Sequence, residues 1–372
     1  MDFSFLLEEI TRGFTEFTLG NGVMILAGLV LITLAVVKEY EPVLLLPIGF
    51  GCIMANIGMS ADVGFMKVIY DAGIKSELFP LLIFIGVGAM IDFSPLLAQP
   101  KMVLLGAAGQ FGIYGTLLLA LLLGFPMNEA ASIGVIGAID GPTAIFVGSK
   151  LAPELLAPIA VAAYSYMSLI PIIQPPIMKL LTTRKERLIR MEYAPRPVSR
   201  LTLVVFPIFV TFVVSLAAPD AAPLIASLML GNLLRESLVV DRLSKAAQNE
   251  IINIATLFLG LAIGSTMKAE SFINLETLMI LGLGLLAFIL DTVAGLLFGK
   301  LMSVLSGGKV NPLIGACGIS AFPMAGRLSA KMAQEEDFEN FILMHAMGAN
   351  TAGQLGSVIA GGLLLALVSG MG

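Results

Sequence analysis

The chain has 372 residues, of which 58% are hydrophobic and 13% charged, and its mean hydropathy is +0.97. A soluble domain carries about 25% charged residues, so this composition excludes a soluble globular protein and points to a polytopic membrane protein. The formal net charge of -5 sits in a few loops, and its basic part forms no nucleic-acid surface.

Asp2–Gly20 carries Glu8, Glu9 and Glu16 and lacks a basic opening, so it does not read as a signal peptide. Phe3, Leu6, Leu7, Ile10, Phe14 and Phe17 recur at helical spacing. Residues 1–20 are therefore expected to form an amphipathic segment on the membrane surface, on a partner or on the chain's own bundle. The runs Gly22–Val37, Val43–Ile57, Leu81–Ile91, Met102–Gly124 and Leu201–Ala217 follow. They approach or exceed the roughly 17–25 apolar residues that cross a bilayer. The expected architecture is all-α, with about ten to twelve membrane elements, some of them tilted or broken. A first membrane half is read over residues 21–178, a hydrophilic loop over 179–200 and a second half over 201–372. Cys52 and Cys317 lie in apolar runs without metal-ligand spacing and read as small buried hydrophobes. The lone His345 cannot build a metal site and reads as a packing residue. With no Trp, Tyr and Lys/Arg must mark the membrane interfaces.

Inside the first half, Gly137–Ile145 reads G-A-I-D-G-P-T-A-I. It places Asp140 in an apolar run and breaks the helix beside it with Gly141-Pro142. A carboxylate at bilayer depth is costly and marks function. The break frees backbone carbonyls that lipid cannot satisfy. Carboxylate and carbonyls together suit a small hard cation. The plainer alternative is a kinked helix whose Asp140 pairs with Lys150. A hydroxyl-rich run, Ala163–Pro171, leads into Gln174-Pro175-Pro176. It must face protein or a wet cavity, either as a site or as interhelical hydrogen-bonding glue.

Lys179, Arg184, Lys185, Arg187, Arg190, Arg196 and Arg200 crowd the central loop, which the positive-inside rule places in the cytoplasm. Pro195-Arg196-Pro197 marks a linker. Two apolar elements separate this loop from a second basic one, Arg235, Arg242 and Lys245, so both lie on one side.

The second half carries its own break. Asn311-Pro312-Leu313-Ile314-Gly315 opens it, and Ser320, Pro323 and Arg327 follow. Asn311 and Ser320 offer neutral oxygens to a cation, Gly315 allows close backbone approach, and Arg327 suits a carboxylate or carbonyl group. Alternatively Asn311 caps a helix before Pro312 and Arg327 neutralises Asp291. Small residues flank Asn350 in Gly348–Gly353. The halves echo each other: Phe84-Ile85-Gly86 matches Phe258-Leu259-Gly260 at a lag of 174 residues, and Pro142 matches Pro323 at 181. Paired interrupted segments point to a midplane binding site. The repeats are expected to be inverted, with the Asp140 segment a re-entrant hairpin; a full crossing there would make them parallel.

Four motifs carry a family resemblance: D-G-P-T at 140–143, S-Y-M-S-L-I-P-I-I-Q-P-P-I-M-K at 165–179, N-P-L-I-G-A-C-G-I-S-A-F-P-M-A-G-R at 311–327 and M-H-A-M-G-A-N at 344–350. With them nearly the whole chain resembles the beta subunit of the sodium-pumping biotin-dependent decarboxylases, which act on oxaloacetate, methylmalonyl-CoA, malonate or glutaconyl-CoA. The resemblance implies a bacterial inner-membrane subunit that decarboxylates carboxybiotin and exports Na+ with the energy released. It implies Asp140 as the coupling carboxylate. It places Tyr166 and Arg327 at catalytic positions that also contact carboxybiotin, and Asp140, Asn311, Gly315, Ser320 and Asn350 at Na+ positions. Implied partners are a carboxyltransferase alpha subunit, a biotin carrier subunit and a small membrane-anchored gamma or delta subunit. A homo-oligomer of the membrane core is compatible with this arrangement. Cys317 departs from the small Ala-like residue expected there. The chain is short for this family, which leans toward the acyl-CoA members. The chain has neither a P-loop nor a Met-Lys-Met biotinylation site, so the biotin must arrive on another subunit. The competing readings are a sodium-coupled organic-anion transporter and a scaffold that anchors soluble enzymes.

Overall fold

A computed structural model describes residues 15, 17–192 and 197–370, without the Ser168 side chain. Most of the amphipathic stretch 1–20, and Pro195 and Arg196 of the linker, fall outside the described residues. Every described element is helical. Leaving short turns unnumbered, α1 is Leu19–Val37, α2 Pro42–Ala55, α3 Gly64–Tyr70 and α4 Leu78–Met90. The chain continues with α5 Pro100–Leu122, α6 Met127–Gly134, α7 Gly141–Leu151, α8 Leu156–Ser168 and α9 Ile170–Leu181. The second half holds α10 Arg200–Ala217, α11 Ala222–Ser237, α12 Asp241–Ser265, α13 Leu275–Leu305, α14 Met324–Glu336 and α15 Leu343–Ser369.

Local chemistry fixes several starts. Thr18 and Asn21 form a capping box on α1, and Ser199 and Asn274 accept the orphan N–H groups of Thr202 and Thr277 on α10 and α13. Among the described residues, six helices are long and apolar enough to cross a membrane, and the number rises to eight if each of two bent pairs is one span. The bent pairs are Gly64–Lys75 with α4 (58°) and Pro153–Met167 with α9 (63°). Helices α1 and α10 are outermost and present Leu26, Phe209 and Phe212 outward, as lipid contact requires.

The element order recurs. Two apolar helices, a short helix running through a π turn into a further helix, a long helix, a 3₁₀ turn and a short helix occur first from α1 to α7, with α6 added before the 3₁₀ turn, and again from α10 to α14. The π turns are Asp71–Lys75 and Ala247–Ile251. The halves exchange partners: α2 crosses α12, where Gly51 meets Gly264, and α4 crosses α11, where Gly231 meets the Ile85 carbonyl. Glycine at these crossings lets the backbones touch. The corresponding helices α4 and α12 run antiparallel, with Phe79 stacked on Phe258 at 6.2 Å and Gly86 against Ile252.

The central loop is docked over residues 182–190. Arg187 pairs with Glu336 at 2.7 Å and Arg190 with Asp337 at 2.6 Å. The Asn340 amide donates to the carbonyls of Arg187 (3.0 Å) and Ile189 (3.2 Å). The two guanidinium groups hold the Glu336 and Asp337 carboxyls below the usual carboxylate range.

Candidate functional site

Helix α6 tightens into a 3₁₀ turn, Val135–Ala138, and the chain then enters the left-handed region at Ile139 (φ 52°). A β-branched residue there costs about 1–2 kcal/mol, so the fold holds the break against local preference. Asp140 follows at the N-cap position of α7, with Pro142 in its first turn. A helix N-terminus favours negative charge. The carboxylate is 6% exposed. Its Oδ2 accepts from Thr143 Oγ1 (2.8 Å), Gln354 Nε2 (2.9 Å) and Ser357 Oγ (3.2 Å). The last two lie on α15, in the other half. Among the described residues no side chain donates to Oδ1. Lys150 is not the partner: at the far end of α7 it pairs with Glu77 (3.1 Å) and lies over the Phe146 ring (4.7 Å).

The second break meets the same helix. Asn350 Nδ2 donates to the Ile319 carbonyl (2.7 Å), and Asn350 Oδ1 accepts from the Gly326 N–H (3.4 Å). Ser320 Oγ donates to the Gly353 carbonyl (3.4 Å). Gln110 Nε2 donates to the carbonyls of Gly318 (3.2 Å) and Gly353 (3.3 Å). Helix α15 thus joins Asp140, Ser320 and Asn350.

The other expected residues stand apart. Asn311 is buried at the N-cap of the 3₁₀ turn Pro312–Cys317, where its Oδ1 accepts from the Leu313 N–H (3.0 Å). Its Nδ2 donates to the carbonyls of Arg187 (3.0 Å) and Ile189 (2.9 Å), so these contacts make it a cap and a loop clip. Gly315 packs backbone to backbone on Gly295 of α13. Tyr166 Oη donates to the Leu281 carbonyl of α13 at 2.5 Å. Arg327 is exposed on α14 and has no ion-pair partner among the described residues. It does not meet Asp291, which is fully buried, accepts from the Gly112 N–H through one oxygen and, among the described residues, keeps the other without a partner.

Sequence reasoning missed Thr143, Gln354 and Ser357. The signal was present: Asn350, Gln354 and Ser357 lie at i, i+4 and i+7, one polar stripe on a mostly apolar helix. Tyr164, within the hydroxyl-rich run, packs its buried ring on Gly141. Chemically, one carboxylate among neutral hydroxyl and amide groups suits a small hard cation, because its surroundings offer oxygen rather than thiolate or imidazole.

Comparison with known proteins agrees in direction. The family model described as "Na+-transporting oxaloacetate decarboxylase beta subunit" matches residues 20–368. The chain is 56% identical over 361 residues to the glutaconyl-CoA decarboxylase subunit beta of Acidaminococcus fermentans, covering 96% of each chain. It is 55% identical over 357 residues to the methylmalonyl-CoA decarboxylase subunit beta of Veillonella parvula, covering 96% of this chain and 95% of that one. Identity to the oxaloacetate decarboxylase beta chain of Klebsiella pneumoniae is 46% over 416 aligned positions, covering 95% of this chain and 96% of that one.

Proposed function

This chain belongs to the family of Na+-transporting oxaloacetate decarboxylase beta subunits, and from that premise we propose that it is the membrane subunit in which carboxybiotin decarboxylation drives Na+ outward. Moving one positive charge against 100 mV costs roughly 2.3 kcal/mol, and loss of CO₂ from carboxybiotin supplies the driving reaction. The observation that carries the reading is Asp140. One of its oxygens is fixed by donors from both halves, and among the described residues no side chain donates to the other, which we assign to the cation. Binding and release of Na+ there changes how α15 is held against the first break. A carboxylate whose hydrogen bonds cross between the halves therefore links ion occupancy to their relative position.

Further parts of the reading rest on the resemblance. Arg327, exposed on α14, holds the carboxylate or ureido oxygen of carboxybiotin from the cytoplasmic side. Ser320 and Asn350 tune the path past α15, and Tyr166, Asn311 and Gly315 support it from α8 and the second break. A carboxyltransferase subunit, a biotin carrier and a small anchored gamma or delta subunit complete the complex in a bacterial inner membrane. The antiparallel packing of α4 on α12 supports inverted repeats. The higher identity to the two acyl-CoA-linked relatives supports an acyl-CoA decarboxylase.

The test is Asp140→Asn in the assembled complex. Sodium transport and carboxybiotin decarboxylation should both be abolished, because one carboxylate couples them. A variant that decarboxylates normally and is still stimulated by sodium overturns the coupling role.

A further inference from the structure

Two tyrosines flank Ser165 on α8, and they face different ways, since residues two apart on a helix lie on nearly opposite sides. Tyr166 turns to α13 and donates to the Leu281 carbonyl. Tyr164 turns to the first break. It is 1% exposed, and its ring lies so close to Gly141 that any side chain at that position would overlap it. Its hydroxyl is buried and has no hydrogen-bond partner among the described residues. That hydroxyl lies 2.6 Å from where a Cβ on Gly141 would sit, beside the residue that follows Asp140. Tyr164 belongs to a buried apolar cluster that includes Ile145, Leu156, Ala160 and Val161. An apolar wall of this kind would be served equally by phenylalanine. A buried hydroxyl left unpaired is unfavourable unless something arrives to pair with it.

We propose that the Tyr164 hydroxyl oxygen is a ligand of the cation held by Asp140, closing the first-break site from the α8 side. The inference rests on the Asp140 reading and extends it to a residue that sequence resemblance passes over in favour of Tyr166. Gly141 then has a reason to lack a side chain: a Cβ there would drive the ring off the site. Cation binding and the phenol are thereby coupled through one neutral oxygen, the kind of ligand that sets affinity without adding charge.

The chain has six Tyr and no Trp, so a tyrosine difference spectrum reports the site directly. The full-length chain in detergent is titrated with NaCl against choline chloride at constant ionic strength. Thermal unfolding and tyrosine ultraviolet difference absorbance are the readouts. Tyr164→Phe should fold as stably as the parent without sodium, lose the sodium-induced difference signal and need about tenfold more sodium for half-maximal stabilisation, as loss of one ligand predicts. Gly141→Ala, which keeps the hydroxyl and displaces the ring, should shift the titration in the same direction. A Tyr164→Phe titration identical to the parent's, with Asp140→Asn abolishing the response, overturns the Tyr164 assignment alone. An Asp140→Asn titration identical to the parent's removes the Asp140 reading and this proposal with it.

Discussion

The two broken segments hold corresponding places in the two halves but use their polar side chains in opposite ways. At the first, hydroxyl and amide groups converge on a side-chain carboxylate, Asp140. At the second, amides bind backbone carbonyls: Gln174 holds Ala316 (2.7 Å), Gln110 holds Gly318 and Asn350 holds Ile319. Gln354 and Gln174 make the contrast sharpest, since each reaches from its own half into the other half's break. One meets a charge and the other a peptide group. Carbonyls freed by a break must be satisfied inside the membrane, and the second break satisfies several of them with these fixed bonds. On the proposed reading it therefore serves as a wall beside the ion path. At the first break no side chain among the described residues donates to Oδ1 of Asp140, and on the proposed reading this is where ion occupancy varies.

The largest effect expected from this contrast follows from the glutamine pair. Gln354→Ala removes a donor to a charged oxygen, and such bonds are worth about 1.5–3 kcal/mol. The sodium concentration for half-maximal decarboxylation should rise roughly tenfold or more. Gln174→Ala should instead lower thermal stability by about 1–3 kcal/mol, the cost of an orphaned buried carbonyl, and leave the sodium dependence of the folded fraction in place. Sodium titrations and melting curves of both variants check this. A shifted sodium dependence for Gln174→Ala would make the second break an ion site rather than a wall.

The serine pair gives a smaller contrast. Ser357 donates to Asp140 at 3.2 Å, and Ser320 donates to a carbonyl at 3.4 Å, long for a hydroxyl bond. Ser357→Ala should raise the sodium requirement by about fivefold to tenfold, and Ser320→Ala by less than about threefold. A larger response at Ser320, measured by the same titration, would bring Ser320 into the ion path directly.

The membrane class was legible from composition, and the breaks from Gly-Pro and Pro placement, because these residues act through local backbone chemistry. Asp140 stood out for the same reason: its neighbours in sequence are apolar. What could not be read was its surroundings. Gln354 lies 214 residues away along the chain, and no local pattern links it to Asp140. Lys150 looked like a partner by proximity in sequence, but α7 carries it roughly 15 Å away along the helix axis. Asn311 before Pro312 carried both a ligand and a cap in its pattern, and its observed contacts are those of a cap. Tyr164 and Tyr166 were indistinguishable in composition. Only the facing of α8 separates them.

The smallest effect concerns the docked loop, which ties the first half to the end of the second break. Two kinds of contact hold it. The Asn311 and Asn340 amides hold the carbonyls of Arg187 and Ile189, and these bonds do not titrate. The Arg187–Glu336 and Arg190–Asp337 pairs do. The arginines hold both carboxyls below their usual range, so their contribution is fully present above the unfolded-state values near pH 4 and is lost as pH falls through the lower folded values. Arg190 is exposed and the Arg187–Glu336 pair is only partly covered, which keeps the effect small and salt-sensitive. Hydrogen-exchange protection of Thr182–Leu188 should therefore be level from pH 8 to pH 5, decline modestly below about pH 4 and decline less in Arg187→Ala. Asn311→Ala should lower protection equally at every pH. Protection that stays level in the parent down to pH 3 would assign the docking to the asparagines alone, and the second break would then be anchored to the loop by neutral hydrogen bonds, as its other polar groups already are.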